Sequence, residues 1–224
     1  MQRPVIFSST FPPSERTFRG AISLRLASGG ADVDELIEDF TVAAENFDEY
    51  FPDDAPVTPD EVPAIVDEVV AEYQRVVTEM SPDAVGLMTS LDDLFAAGIL
   101  YSYGDTDEPS DALEFLEDAL ESIAAEGGQL RGFLYSVSGD LDDMVLHQRL
   151  EIAFGTFDAD ATALPALAEK AVQIFTAHGL AASWSGDPGH PIVIDPIVVD
   201  APLVEEEDDD DHAGHHHDHD GHHH

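Results

Sequence analysis

Apolar positions recur along this chain at two periods, and the change from one to the other divides it. Val33, Ile37, Phe40, Ala44, Phe47 and Phe51 step by four and three, which predicts one helix with a single buried stripe, ended by Pro52. Asp32 precedes it with Glu35 three positions on, the spacing of a capping box. Thr58-Pro59-Asp60-Glu61 is a second start signal, with proline at the first helical position. Val62, Val66, Val69, Tyr73, Val76 and Met80 repeat the stepping, so the two helices are expected to pair as a hairpin or to lie together on a sheet.

From Ser90 onward the periods alternate. LDDLFAA is a short helix stopped by Gly98, and residues 99–103 read as a strand. After a polar loop, residues 110–126 form a helix with Leu113, Leu116, Leu120 and Ile123 inward, closed by Gly127-Gly128. Residues 132–138 resume period two, with Phe133, Tyr135 and Val137 on one face. The stretch 150–194 is the best specified. Leu150, Ile152, Phe154 and Thr156 share a strand face, Leu164, Leu167, Ala171 and Ile174 make a helical stripe, and Gly179 stops it. Leu180, Ala182 and Trp184 alternate again before the turn Gly186-Asp187-Pro188-Gly189 and a last strand. The helix–glycine–strand unit occurs at both FAAGILYSY and TAHGLAASW.

This order predicts an α+β fold: a helical N-terminal part packed on a small, largely antiparallel sheet, with helices on one face in a split βαβ-like arrangement. The expected parts are a basic flexible arm (1–30), a helical hairpin (31–84), an α+β sheet domain (85–200) and a disordered acidic, His-rich tail (201–224). The arm carries Arg3, Arg16, Arg19 and Arg25 against Glu15, a profile that partly resembles a transit peptide, although Pro12-Pro13 interrupts any early helix.

Charge narrows the possible partners more than composition does. Forty-eight acids against eight bases leave a formal net charge of −40. Such a chain repels nucleic acid and anionic lipid, which are bound through Lys and Arg, so neither nucleic acid nor a membrane is an expected partner. Divalent metal ions and a basic protein are the partners the charge favours. With no run near the roughly 20 apolar residues of a membrane span, the expected compartment is the cytoplasm. There is no cysteine, which removes disulfides, thiolate zinc sites and a cysteine nucleophile. No glycine-rich phosphate loop, serine nucleophile elbow or His-Glu-x-x-His motif is present, and no cofactor is required by the sequence.

The strongest chemical signal is the stretch EEEDDDDHAGHHHDHDGHHH. Its His212, His215, His216, His217, His219, His222, His223 and His224 are candidate ligands for zinc, nickel or copper, and Asp218 and Asp220 add oxygen donors. Asp142, Asp143 and His147 form a candidate acid–base cluster, and Asp187 with His190 a second. His178 suits a helix C-terminus through the helix dipole alone, and Asp111, Glu114, Asp118 and Glu121 read as a solvated helix face.

Several segments together resemble a family of small, mainly bacterial proteins classed as a domain of unknown function: ENFDEYF, IVDEVVAEY, SLDDLFAAGI, RGFLYS, LEIAFGTFD and HGLAASWSGDPGHPI, spanning about residues 38–194. The resemblance implies a fold and no assigned reaction. Members of that family carry a cysteine cluster after the Gly-Ile unit and a His-Gln-Gln-Asp-Thr run after the Gly-Phe strand. Here those positions read YSYGDTDEPS and SVSGDLDD, so the thiol or metal chemistry they imply is not carried over. The expected function is a non-enzymatic binding or accessory module with a metal-binding tail. The alternative is a hydrolase-like enzyme using Asp142, Asp143 and His147 at the sheet edge.

Overall fold

The alternating periods assemble into one five-stranded sheet and eight α-helices in a computed structural model that describes residues 10–29, 32–125, 127–157 and 162–203. In chain order these are α1 (Phe18–Ser28), α2 (Val33–Glu45), α3 (Phe47–Tyr50), α4 (Val62–Val76), α5 (Pro82–Ala96), β1 (Ile99–Tyr103), α6 (Pro109–Ala125), β2 (Gly132–Ser136), α7 (Ser138–His147), β3 (Leu150–Gly155), α8 (Leu164–Ala177), β4 (Ala182–Ser183) and β5 (Ile192–Ile194). Among the described residues, no helix is long and apolar enough to cross a membrane.

The sheet runs β1-β2-β3-β5-β4, with β1 and β2 parallel and the other three pairs antiparallel. β3–α8–β4 is a split βαβ unit with β5 between its parallel strands, as expected, whereas β1–α6–β2 joins adjacent strands directly. Register puts Ile99, Tyr101, Leu134, Phe154, Ile152, Leu150, Ile192 and Ile194 on one face. α5 and α8 cover that face with Leu87, Leu94, Leu167, Ala171 and Phe175, forming the larger core. α6 departs from a one-faced arrangement. It contacts β1 and β2, and its buried Ala112 and Leu116 belong to neither core cluster, which places it over the opposite face at Leu100 and Ser102.

The second core belongs to α1, α2, α3 and α4. Phe18 sits at its centre, with ring centroids 5.3 Å from Phe40, 5.8 Å from Phe47 and 5.4 Å from Phe51. Residues 18–28 therefore correct the expectation of a flexible arm over 1–30. Phe18, Ile22 and Leu26 are fully buried, and the Asp54 carboxylate accepts from the Phe18 N–H at 2.8 Å, which serves the helix start that Thr17 leaves uncapped. A helix buried on nearly every side shows no single stripe, so periodicity missed it. The first predicted helix is likewise two: α2 stops at Glu45 and α3 restarts after Asn46, with the stripe passing through both. α5 begins eight residues before Ser90, at the Ser81-Pro82 start signal, where the Ser81 hydroxyl accepts from the Ala84 N–H at 3.1 Å.

Two elements join the halves. α7 carries the candidate residues Asp142, Asp143 and His147 between two strands. It packs on α1 and β3, and Val145 touches both cores. Residues 195–203 form a strap: Ser81 N–H donates to Asp200 O at 2.8 Å, Ser81 Oγ to Val198 O at 2.7 Å, and Tyr73 OH to Ala201 O at 2.8 Å. Residues 201–203 thus belong to the fold, and Leu203 packs against the helical core rather than opening a tail.

Candidate functional site

The joint between helical layer and sheet leaves a cleft. Its larger part, of about 630 Å³, has an apolar wall from Leu26 and Val33 on the helical side, Met80, Leu87, Met88 and Leu91 around α5, and Pro202 and Leu203 from the strap. Gly29, Asp32 and Tyr103 line this part and also a second, of about 330 Å³, so the two lie side by side. The second part is acidic: Asp32, Glu35, Asp39 and Asp105 surround a single base, Arg25.

Local structure fixes these groups. Asp32 Oδ1 caps α2, accepting from Asp34 N–H at 2.7 Å and Glu35 N–H at 3.2 Å, and that cap points Glu35 and Asp39, one turn apart, along the rim. Asp105 Oδ2 accepts from Ser102 Oγ at 2.8 Å and Tyr103 N–H at 3.1 Å, holding the loop after β1 at the mouth. The Tyr103 phenol donates to Met144 Sδ at 3.7 Å, and burial holds its pKa well above the ordinary value, so it stays neutral. On the outer wall of α5, Val85, Met88 and Phe95 are about half exposed, extending apolar surface outward from the cleft.

The proposed acid–base cluster does not assemble. Asp143 and His147 face solvent one turn apart on α7, 3.5 Å between Oδ1 and Nε2, with both side chains about two-thirds exposed. Asp142, one residue away and so about a quarter-turn round the helix, points into a side groove with Glu15, Arg25, Asp39 and Asp107. Burial pushes its carboxyl pKa up, and the Arg25 charge opposes that rise. Asp187 and His190 are 3.2 Å apart in the exposed last turn, where the Gly189 N–H lowers the Asp187 pKa. His178, at the end of α8, bonds Asp93 at 2.8 Å and ties α8 to α5. His212, His215, His216, His217, His219, His222, His223 and His224 lie outside the described residues. Among the described residues, no group of three or more acidic or imidazole side chains is placed to hold a metal ion.

Sequence reasoning missed the cleft because its residues come from five separated segments, each unremarkable alone. The available signal was the methionines: only four occur in the chain, and two line this wall. No curated protein and no solved structure matches the chain. A family model does match, over residues 12–200, so that it takes in α1 and most of the strap as well as the two cores, and the chain belongs to that family, described as Domain of unknown function (DUF6891).

Proposed function

We propose that this protein is a non-enzymatic binding module that takes a basic, amphipathic segment of a protein partner in the cleft between its helical layer and its sheet, and that its His-rich stretch holds divalent metal. The observation that carries the cleft reading is adjacency: an apolar, methionine-bearing floor lies beside a rim where four carboxylates outnumber one guanidinium. Methionine suits an adaptable contact surface because it is unbranched and polarisable. A lysine- or arginine-bearing helix with one apolar face would bury that face against Met80, Met88 and Leu91 and set its cations against Glu35 and Asp39. The net charge of −40 would steer such a segment toward the protein before contact. The hydrolase reading loses its support, since Asp142 and the Asp143–His147 pair open onto different surfaces. For the metal, eight imidazoles between residues 212 and 224 supply overlapping ligand sets.

The test separates a site from a general attraction. A 12-residue helical peptide of Leu and Lys would be titrated calorimetrically into the protein, into Glu35→Gln/Asp39→Asn, and into Glu117→Gln/Asp118→Asn. The second pair removes the same charge from an exposed face of α6. The cleft pair should weaken binding about tenfold and the α6 pair less than twofold. Equal losses would show that the peptide answers only to net charge.

A further inference from the structure

A second groove has the opposite sign. It measures about 790 Å³ and lies where α5 ends, β1 begins and α8 begins. Its floor is Ile99, Leu167 and Ile174, each less than a tenth exposed, and its walls are short alanines from α5 and α8. Two of the chain's eight bases line it, Arg131 and Lys170, the latter the only lysine. Of the other described bases, Arg19 pairs with Glu68, Arg75 with Glu72 and Arg149 with Glu151, while Arg16 and Arg25 form no ion pair among the described residues. Arg131 and Lys170 are paired with no carboxylate among the described residues.

The single acid of the lining, Asp93, is engaged by His178 at 2.8 Å. Arg131 is held in place by its backbone, whose N–H donates to Gly98 O at 2.7 Å, and its stem packs over Gly98, where an added Cβ would come within 3.4 Å of Arg131 Cγ. The last carbonyls of α5 reach the same region, but Ala97 and Gly98 N–H groups already bond them. α8 presents its first turn to the groove, the end of a helix dipole where negative charge is favoured.

We infer that this groove binds a small amphipathic carboxylate, with the carboxylate between Arg131 and Lys170 and an aliphatic or aromatic body on the Ile99–Leu167–Ile174 floor. In a chain with six acids per base, this groove sets two unpaired cations over an apolar floor, and its one acid is already engaged by His178. The volume falls within the range of about 300–1,000 Å³ usual for small-molecule sites. The site is separate from the cleft and opposite in charge preference, so it stands or falls independently of the binding-module reading.

Octanoate is the probe. Calorimetry on the full chain should give saturable binding, with octanol at least tenfold weaker because it lacks the charge. Arg131→Gln/Lys170→Gln should weaken octanoate about tenfold or more and leave octanol unchanged. Octanol binding as well as octanoate, or octanoate binding undiminished in the double variant, would overturn the assignment. So would absence of binding up to about 10 mM. The comparison of the two probes on the unaltered protein needs no variant to fold.

Discussion

The two grooves share an apolar floor and differ in the sign of their rim. The cleft beneath α1 and α5 is edged by Asp32, Glu35, Asp39 and Asp105, whereas the groove at the other end of α5 is edged by Arg131 and Lys170. Both belong to a chain of net charge −40. At physiological ionic strength charge is screened beyond about 8 Å, so what a ligand meets in contact is set by the few groups around it. Net charge governs approach and solubility; local pairing governs recognition. The chain's acid excess therefore describes the cleft well and the second groove not at all.

The largest blow to this comparison should come from Phe18→Ala. Three phenylalanines surround that ring, and truncating a buried phenylalanine costs about 3–5 kcal/mol. For a domain of this size the unfolding midpoint should fall by about 10 °C, taking the cleft's α1 wall with it while leaving the floor of the second groove, which α1 does not touch. A fall under about 3 °C would mean that α1 is a loose arm after all and that the cleft is not built.

Metal should leave both grooves alone. Zinc, nickel and copper titrated at pH 7.5 should bind the full chain at several sites, and a chain ending at Val204 should lose about a hundredfold or more in affinity. Binding should weaken below about pH 6 as imidazole protonates. Undiminished affinity after truncation would move the site into the folded body.

The smallest effect concerns pH. Burial raises the carboxyl pKa values of Asp140, Asp142 and Asp200. Their contribution is present in full below the unfolded value of about 4 and is lost as pH rises through the higher folded values. The lowered groups, Asp187, Glu61 and Glu72 (Glu72 down to about 2), act in the opposite sense, but only as pH falls below about 4. The midpoint should accordingly fall as pH rises from about 4 toward 7.5. Asp142→Asn should recover about 1–2 °C at pH 7.5, since Asp142 Oδ1 is buried without a hydrogen-bond partner. A midpoint independent of pH over that span would show that these carboxyls are well solvated.

Legibility followed one-sidedness. α8 and β3 each bury a single face, and Leu167, Ala171, Ile174, Leu150 and Ile152 stand where their spacing placed them. α6 was found but rotated: Ala112 and Leu116 are its buried pair, while Leu113 is 37% exposed, because a short alanine rather than a leucine meets the sheet. α1 is buried on most sides and α7 is a connector shared by two cores, so neither shows one clean stripe. The cleft depends on which segments meet, and nothing in a local window reports that Met88, Tyr103 and Leu203 are neighbours. Of the second groove, only its rarity was visible, in a lone lysine among forty-eight acids.

The most direct test sets two probes of equal length and opposite charge against the same isotopically labelled protein. Octylammonium stands in for a lysine beside an apolar face, and octanoate for the amphipathic carboxylate. Amide shifts should divide between the two: Met88, Leu91, Tyr103 and Asp105 with the ammonium, Ile99, Arg131, Leu167 and Ile174 with the carboxylate. Both probes moving one common set of residues, or the ammonium leaving the cleft unmoved, would contradict the account.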